Sequence, residues 1–591
     1  MQDAGTVLDV LRERGRKGLP CDGFYRQMFN KSLYLLAYGS IYSNQGAMTP
    51  GVGEETADGM SEEKIGAIIA QMRGERYRFG PARRVMIPKK NGKLRPLGLP
   101  SWSDKLVGEV VRLLLEAIWE PSFSGHSHGF RKGRGCHTAL REVQETWTGT
   151  AWFIEGDISD CFGSVDHEIL MGILAEKIHD NRFLRLIRNM LTAGYMEDWQ
   201  YHDTLSGTPQ GGVVSPVLSN IYLSKLDEFV EKELIPQYTR GDRRKKTLEY
   251  ERIKDRRVRA RRRGDREQAR AAAKQMRALP ARDPMDPGYR RLLYCRYADD
   301  HLLGFAGPKA EAEEIKQRLA EFLRDRLALE LNPAKTLITH ARTRAARFLG
   351  YEITVLHCNT RLTRGCRSVN GRIALRVPLD VIKAKCAPYR RRGRPWHRAR
   401  LQNLPDYDIV RIYGAEYRGI VSYYLLAQDV WRLGALRWNA ETSMLKTLAA
   451  KHKSTVVRMA ARHKARTITR GGLRTCFEAR LQREGRKDLV ARFGGIPLKR
   501  DRRAVIHDPA PAPVTAPRKE LIHRLRARRC ELCEHGATVT VHHVARLAHL
   551  GQTGPGQPAW AALMARKRRK TLIVCAGCHE HIHANPVASA A

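Results

Sequence analysis

The chain has no run of about 18 apolar residues, so no membrane-spanning helix is predicted. Its opening stretch, MQDAGTVLDVLRERGRKG, lacks the apolar core of a secretory signal, and no lipidation motif accompanies it. No internal repeat is visible, which excludes solenoids and propellers. Acidic residues are scarce: 62 Asp plus Glu stand against 105 Lys plus Arg, a formal net charge of +43 in 591 residues. Such an excess is hard to hold compact without a polyanion, and nucleic acid is the leading partner. Apolar residues reach 42%, which excludes disorder throughout and allows about three to five domains. Of the 12 cysteines, only four are paired in sequence, as two C-x2-C motifs near the C-terminus. The isolated ones suggest a reduced, intracellular protein and the paired ones suggest metal ligands before disulfides.

Residues 1–75 show apolar positions at helical spacing, as in Leu33, Leu35, Leu36 and Ile65, Ile68, Ile69. Val85, Ile87 and Leu97, Leu99 flank Lys90-Asn91-Gly92-Lys93, a strand–turn–strand signal, and a helix is predicted from Asp104 to Trp119. Trp152-Phe153-Ile154 is a short apolar strand running into Asp157, followed by two helices over 167–197. Leu292 to Phe305 is predicted as a hairpin, with a helix over 309–328 and a strand near Leu337-Ile338 behind it. Between these lies a basic insertion, 239–290, that fits a solvated helical segment as well as an RNA contact. Residues 378–490 look all-helical. DPAPAPVTAP at 508–517 is the clearest boundary, a semi-rigid spacer that should let the two sides act nearly independently.

Tyr297-Ala298-Asp299-Asp300 falls on the predicted hairpin turn, and Asp157 ends a separate apolar strand. Nucleotidyl transfer between two magnesium ions needs a few carboxylates at close quarters, and Mg²⁺ takes hard oxygen ligands. Asp160 and Asp166 are not required by this reading and fit caps or salt bridges. Ser206-Gly207-Thr208-Pro209-Gln210-Gly211-Gly212 is a Gly-rich turn entering a helix, where backbone amides can approach a nucleotide.

The tail reads Cys530-x2-Cys533, Val541-His542-His543, then Cys575-x2-Cys578-His579-x3-His583. Four cysteines closing on one ion are a strong Zn²⁺ signal, and a module this small has little core without it. His579 and His583 share a helix face and His542 ends a strand. These three can hold a catalytic divalent metal, leaving His543 as general base on water.

The strings RPLGLP (95–100), SHGFRKGRGCHTAL (127–140), FIEGDISDCF (153–162), SGTPQGGVVSPVLSNIYL (206–223), YADD (297–300), LNPAKT (331–336) and FLGYEI (348–353) resemble, in order, the blocks of group II intron reverse transcriptases. The tail resembles an HNH nuclease. The resemblance implies a multidomain α+β chain: a right-hand polymerase of fingers and palm over 1–375 and a helical maturase or thumb domain over 376–456. A DNA-binding segment over 457–507, the linker over 508–517 and a zinc-stabilised ββα-metal HNH domain over 518–591 would follow. It implies Asp157, Asp299 and Asp300 as Mg²⁺ ligands and Phe162 as the aromatic that excludes a ribose 2′-OH. Gln210 would line the nucleotide site, Lys89 and Arg95 would grip the triphosphate, and Lys335 would be the general acid. Lys446, Lys451, His452 and Lys453 would contact RNA backbone, while Tyr413, Tyr417, Ile420 and Tyr424 fit a packing face. The implied partners are intron RNA, double-stranded target DNA and dNTPs, in the bacterial cytoplasm at the nucleoid. A domesticated reverse transcriptase in repair or defence and a splicing-only maturase remain alternatives. One departure stands out: residues 544–574 contain no Asn, the middle residue for which the nuclease module is partly named; His549 or Gln557 as a substitute in orienting the loop, and an inactive module serving as a DNA clamp, are the two readings of that departure.

Overall fold

The computed structural model describes all residues except 1, 45, 89–91, 93, 198–199, 205, 208–211, 364–365, 470–471, 484–485, 507–515, 551–556 and 587–591. At its centre is an antiparallel four-stranded sheet in the order Arg291–Tyr297, Asp300–Ala306, Trp152–Gly156, Ile338–His340. Side chains alternate across a strand, and here both faces are covered. Ile154, Tyr294 and Leu303 enter one core, while their neighbours Phe153, Cys295 and Leu302 enter another. The first core also takes in the N-terminal helices Ala4–Arg16, Lys31–Ile41 and Trp102–Trp119. Beside it, Ala82–Pro88 and Leu94–Leu99 form the expected hairpin. Helices Ser215–Phe229 and Lys309–Leu327 meet through the stacked rings of Phe229 and Phe322.

The second core joins that sheet to the helices Asp406–Tyr423 and Gly434–Lys451. Tyr413, Tyr417 and Tyr424 are buried there and Ile420 is half-buried, so the tyrosine row is a packing face. The all-helical expectation for 378–490 is corrected. Lys464–Thr469, Gly472–Arg483 and Arg486–Gly494 make a three-stranded antiparallel sheet packed on Asp406–Tyr423. Its alternating Arg and apolar residues are a period-two pattern that the density of basic charge obscures. The basic insertion holds two helices, Leu248–Arg262 and Arg266–Ala278, whose only buried residues are Ile253, Ala260, Ala269 and Ala272.

The Cys/His module pairs Val539–His543 with Thr571–Cys575 and closes with the helix Ala576–Ala584. Alternation again splits its strands: Leu572 and Val574 face the module's own small core, while Val541 and Ile573 face the first core of the chain. Leu521 and Leu525 of helix Ala516–Arg526 are buried in that first core too. The strand Met60–Ser61 adds to the module's sheet as its third strand. The Pro/Ala linker lies outside the described residues but for its last two, and beyond it the apolar surface left over on a small hairpin is covered by the N-terminal core.

Candidate active sites

Register assembles the first site. Gly156 pairs with His301, so Asp157 lies one step beyond the last rung, across from Asp300. Tyr297 pairs with Asp300, which leaves Ala298-Asp299 as a two-residue turn with Ala298 at φ +55°. Gly156 is required by close approach, since a Cβ there would lie 1.9 Å from the His301 ring. All three acids are half-buried. Burial pushes Asp300 up to about 7, with the charges of Asp299 and Asp157 adding to it, and Asp299 is raised by burial and then by Asp157. Lys335 Nζ lies 2.7 Å from Asp157 Oδ2, and that bond raises the lysine. Arg95 is exposed on its strand, and its charge acts on Asp299. Lys89 and Gln210 lie outside the described residues.

Phe162 is half-buried in the turn after Asp157, edge-on to Phe130 at 6.3 Å. The described start of the Gly-rich loop is locked against that turn: Gly207 N donates to Val165 O at 2.8 Å and Ser206 Oγ to Gly163 O at 3.1 Å. Gly207, at φ +87°, has Phe162 O and Gly163 within 2.8 Å of where a Cβ would be. Asp166 caps the helix His167–Ala175 by accepting from Ile169 N at 2.9 Å, as the cap reading expects.

Sequence reasoning missed the group that holds the YADD turn. Arg296 is fully buried and pairs two-pronged with Asp227, Nε to Oδ1 at 2.7 Å and Nη2 to Oδ2 at 2.6 Å. Its Nη1 donates to Ala298 O at 2.9 Å and to Asn220 Oδ1 at 3.2 Å. The signal was present: an Arg inside the apolar run LLYCRY has no place to go but a buried partner. The SHGF segment braces the same strand, with His128 N donating to Arg296 O and Arg296 N to His126 O, both at 2.9 Å.

In the tail, Cys530, Cys533, Cys575 and Cys578 offer sulfurs within 4.8 Å of one another, Cys533 and Cys575 at 3.8 Å. A tetrahedron of about 2.3 Å Zn–S bonds has edges of about 3.8 Å, so the cluster fits zinc. His542, His579 and His583 converge likewise, with 3.3 Å between the Nε2 atoms of the last two. His543 is 4% exposed beside the Tyr42 ring, and burial lowers it to about 4. Gln557 Nε2 donates to Leu550 O at 2.8 Å, tying the ends of the loop that lacks the Asn. The side chain of His549 lies outside the described residues.

Of the four maturase cations expected to contact RNA, three also bond within the fold. Lys446 Nζ donates to Pro395 O at 2.9 Å over the Trp396 ring. Lys451 donates to Leu404 O and pairs with Asp406, and His452 pairs with the same carboxylate at 2.8 Å. They clamp the helix Gly434–Lys451 to its neighbours, because cations this close to carbonyls and one carboxylate lower their energy by turning inward. Lys453 alone is exposed.

Three families match the chain in succession. Residues 87–353 match the reverse transcriptase (RNA-dependent DNA polymerase) family, 372–472 the type II intron maturase family and 530–579 the AI2M/AI1M-like HNH endonuclease family. The group II intron-encoded protein LtrA of Lactococcus lactis subsp. cremoris is 38% identical over 580 residues, covering 94% of this chain and 95% of that protein. The chain belongs to the group II intron-encoded proteins. A relative from Schizosaccharomyces pombe, the uncharacterized 91 kDa protein in cob intron, is 34% identical over 94% of this chain and 69% of its own length. The group II intron-encoded protein described here is thus a reverse transcriptase and an HNH endonuclease joined through an intron maturase domain. Among its described residues, no helix is long and apolar enough to cross a membrane.

Proposed function

We propose that the protein copies its intron RNA into DNA at a cleaved target, assists splicing of that RNA, and nicks the second DNA strand with its HNH module. The observation that carries the polymerase reading is the gathering of Asp157, Asp299 and Asp300 by strand register, with Asp300 raised to about 7 by burial and like charge. Carboxylates forced together in this way suit cations between them. Asp157, Asp299 and Asp300 would hold two Mg²⁺ ions, which supply charge stabilisation at the reacting phosphorus and activation of the primer 3′-OH. In this reading the central sheet is the palm, the Ala82–Leu99 hairpin the fingers and the helices of 376–456 the thumb. Arg95 and Lys89 grip the triphosphate, Gln210 lines the nucleotide and Phe162 closes the space a 2′-OH would need. Lys335, kept protonated by Asp157, delivers a proton to the leaving pyrophosphate. The four cysteines hold structural zinc. His542, His579 and His583 are metal ligands, and His543 takes the proton from the attacking water. RNA is met by Lys453 and the outward sides of Lys446, Lys451 and His452, with the exposed arginines Arg391, Arg392 and Arg394 beside them, and target DNA by the sheet of 464–494.

The test is primer extension on poly(rA)/oligo(dT). Asp157→Ala, Asp299→Ala and Asp300→Ala each abolish dNTP incorporation, because one missing ligand leaves a two-metal site unable to hold both ions. Retained extension in any one of them removes that residue from the metal site. A splicing-only role is disfavoured by the intact, assembled acid triad.

A further inference from the structure

Asp58 is the residue in the nuclease site that no motif of the nuclease contains. It lies nearly five hundred residues before the histidines, in the segment leading into the strand Met60–Ser61. That strand pairs Met60 with Val541 and Ser61 with Thr540. Gly59 N donates to Val541 O at 3.0 Å and His543 N to Asp58 Oδ1 at 2.7 Å, so the segment runs along the edge of the strand that carries His542 and His543. Trp102 Nε1, 3.5 Å from Met60 Sδ, anchors it from behind.

The carboxylate of Asp58 then sits among the three metal-ligand nitrogens. Oδ1 is 3.3 Å from His542 Nδ1 and 3.3 Å from His579 Nε2, and Oδ2 is 2.8 Å from His583 Nε2. A tetrahedral ion with ligand bonds of about 2.0–2.1 Å has edges of about 3.3–3.4 Å. Three of these four contacts, counting the 3.3 Å between His579 and His583, match that edge. We infer that Asp58 is a fourth ligand, supplied by the polymerase's N-terminal region, and that the four-ligand state is a closed form of the nuclease. This rests on the reading of His542, His579 and His583 as the nuclease's metal ligands. Catalytic sites of this kind keep one position open for water or phosphate, and Asp58 fills it. The N-terminal region also buries the ligand His542 and the general base His543, 5% and 4% exposed, with Tyr42, at the end of the helix Lys31–Ile41, edge-on to His543. The site is reached by solvent at His583, 56% exposed, but a scissile phosphate cannot lie against the His543 ring in this arrangement. The lock is short, two residues of strand and one carboxylate, so it can be released locally. Nicking is thereby made conditional on the N-terminal segment leaving the module.

The experiment uses the full chain with its cysteine site zinc-loaded, titrated with Co²⁺. Wild type takes up one Co²⁺ with the intense visible bands of a four-coordinate ion, distinct from the weak bands of any six-coordinate Co²⁺ at Asp157, Asp299 and Asp300. Asp58→Ala and Asp58→Asn bind it at least about tenfold more weakly, with weaker bands as water enters, and at saturating metal both nick duplex DNA faster than wild type. Unchanged affinity and bands overturn the ligand assignment, and nicking no faster than wild type at saturation overturns the closure. His579→Ala/His583→Ala is the control for the underlying reading. If it keeps wild-type Co²⁺ binding, the histidine site itself is wrong. If it loses Co²⁺ while the Asp58 variants do not, only the role of Asp58 falls. Unchanged zinc content and primer extension show that each variant is folded.

Discussion

Phe162 and Arg296 show how differently two residues near one site act. The Phe162 ring packs edge-on to Phe130 in the turn after Asp157, and the loop carrying Gly207 is bonded to the backbone of that turn at Gly163 and Val165. Phe162→Val removes ring volume without disturbing those backbone bonds, so rNTP incorporation should rise relative to dNTP. The ratio of kcat/KM values on the two nucleotides measures it, and an unchanged ratio makes Phe162 a packing residue only. Arg296 acts by holding the carbonyl of Ala298 while Asp227 neutralises it. Breaking a fully buried pair by removing one partner costs about 3–5 kcal/mol. Asp227→Ala should therefore lower thermal stability by that order and also slow extension, whereas Asp160→Ala should leave extension standing. The acids were legible in the sequence because two short motifs carry them. The arginine beneath was legible only as an anomaly, and its partner Asp227 was not, because pairing across 69 residues leaves no local pattern.

At the scale of elements, the SHGF segment and the helix Cys136–Thr146 form a brace whose strength depends on pH. Glu142 is raised by burial, but hydrogen bonds from His126 and His128 outweigh this and hold it at about 2, while Glu142 in turn raises His126. A depressed carboxyl contributes stability above its ordinary value of 4.5, lost as pH falls toward about 2. A raised histidine contributes below 6.5, lost as pH rises through its raised value. The brace should hold best between about pH 4.5 and 6.5, and Glu142→Gln should flatten both limbs of the melting temperature against pH. The maturase helices are governed by a different balance. Lys451 and His452 share Asp406 with His463 at 3.6 Å, so reversing these cations to Glu would unfold the bundle rather than merely weaken RNA binding. The informative variant is Arg391→Glu/Arg392→Glu/Arg394→Glu on an exposed hairpin. It should keep the fold, weaken intron RNA binding and reduce its salt dependence. Filter binding at two salt concentrations, beside a melting curve, separates the two effects. Charge along a sequence tells how many cations exist but not which find carbonyls, and that is why the inward bonds of Lys446, Lys451 and His452 were not legible.

For the whole molecule the decisive feature is that two cores, not three, carry most of the chain. The module that follows the Pro/Ala spacer lends Leu521, Leu525, Val541 and Ile573 to the N-terminal core, and keeps only a small core of its own around Trp560, Leu572 and Ile582. The spacer was legible but not its consequence, since a linker's composition reports its stiffness and not whether the apolar faces it joins will meet. This divides two perturbations that would otherwise look alike. His543→Ala removes an imidazole whose ring nitrogens have no hydrogen-bond partner and leaves every strand pairing in place. It should stop second-strand nicking while primer extension and splicing stay near wild type. Cys575→Ser removes one of the four sulfurs proposed to hold zinc, from a module whose core is too small to stand alone. Once the module unfolds, Val541 and Ile573 leave the N-terminal core, and the apolar side chains they cover become exposed to water. Cys575→Ser should therefore abolish nicking and also lower the melting temperature of the polymerase, with primer extension lost at temperatures where the His543→Ala protein still works. Chelation of the zinc should reproduce it. Melting curves and primer extension across a temperature series on both variants decide the matter: if zinc loss leaves the polymerase as heat-resistant as His543→Ala does, the module's docking contributes nothing to the fold it rests on.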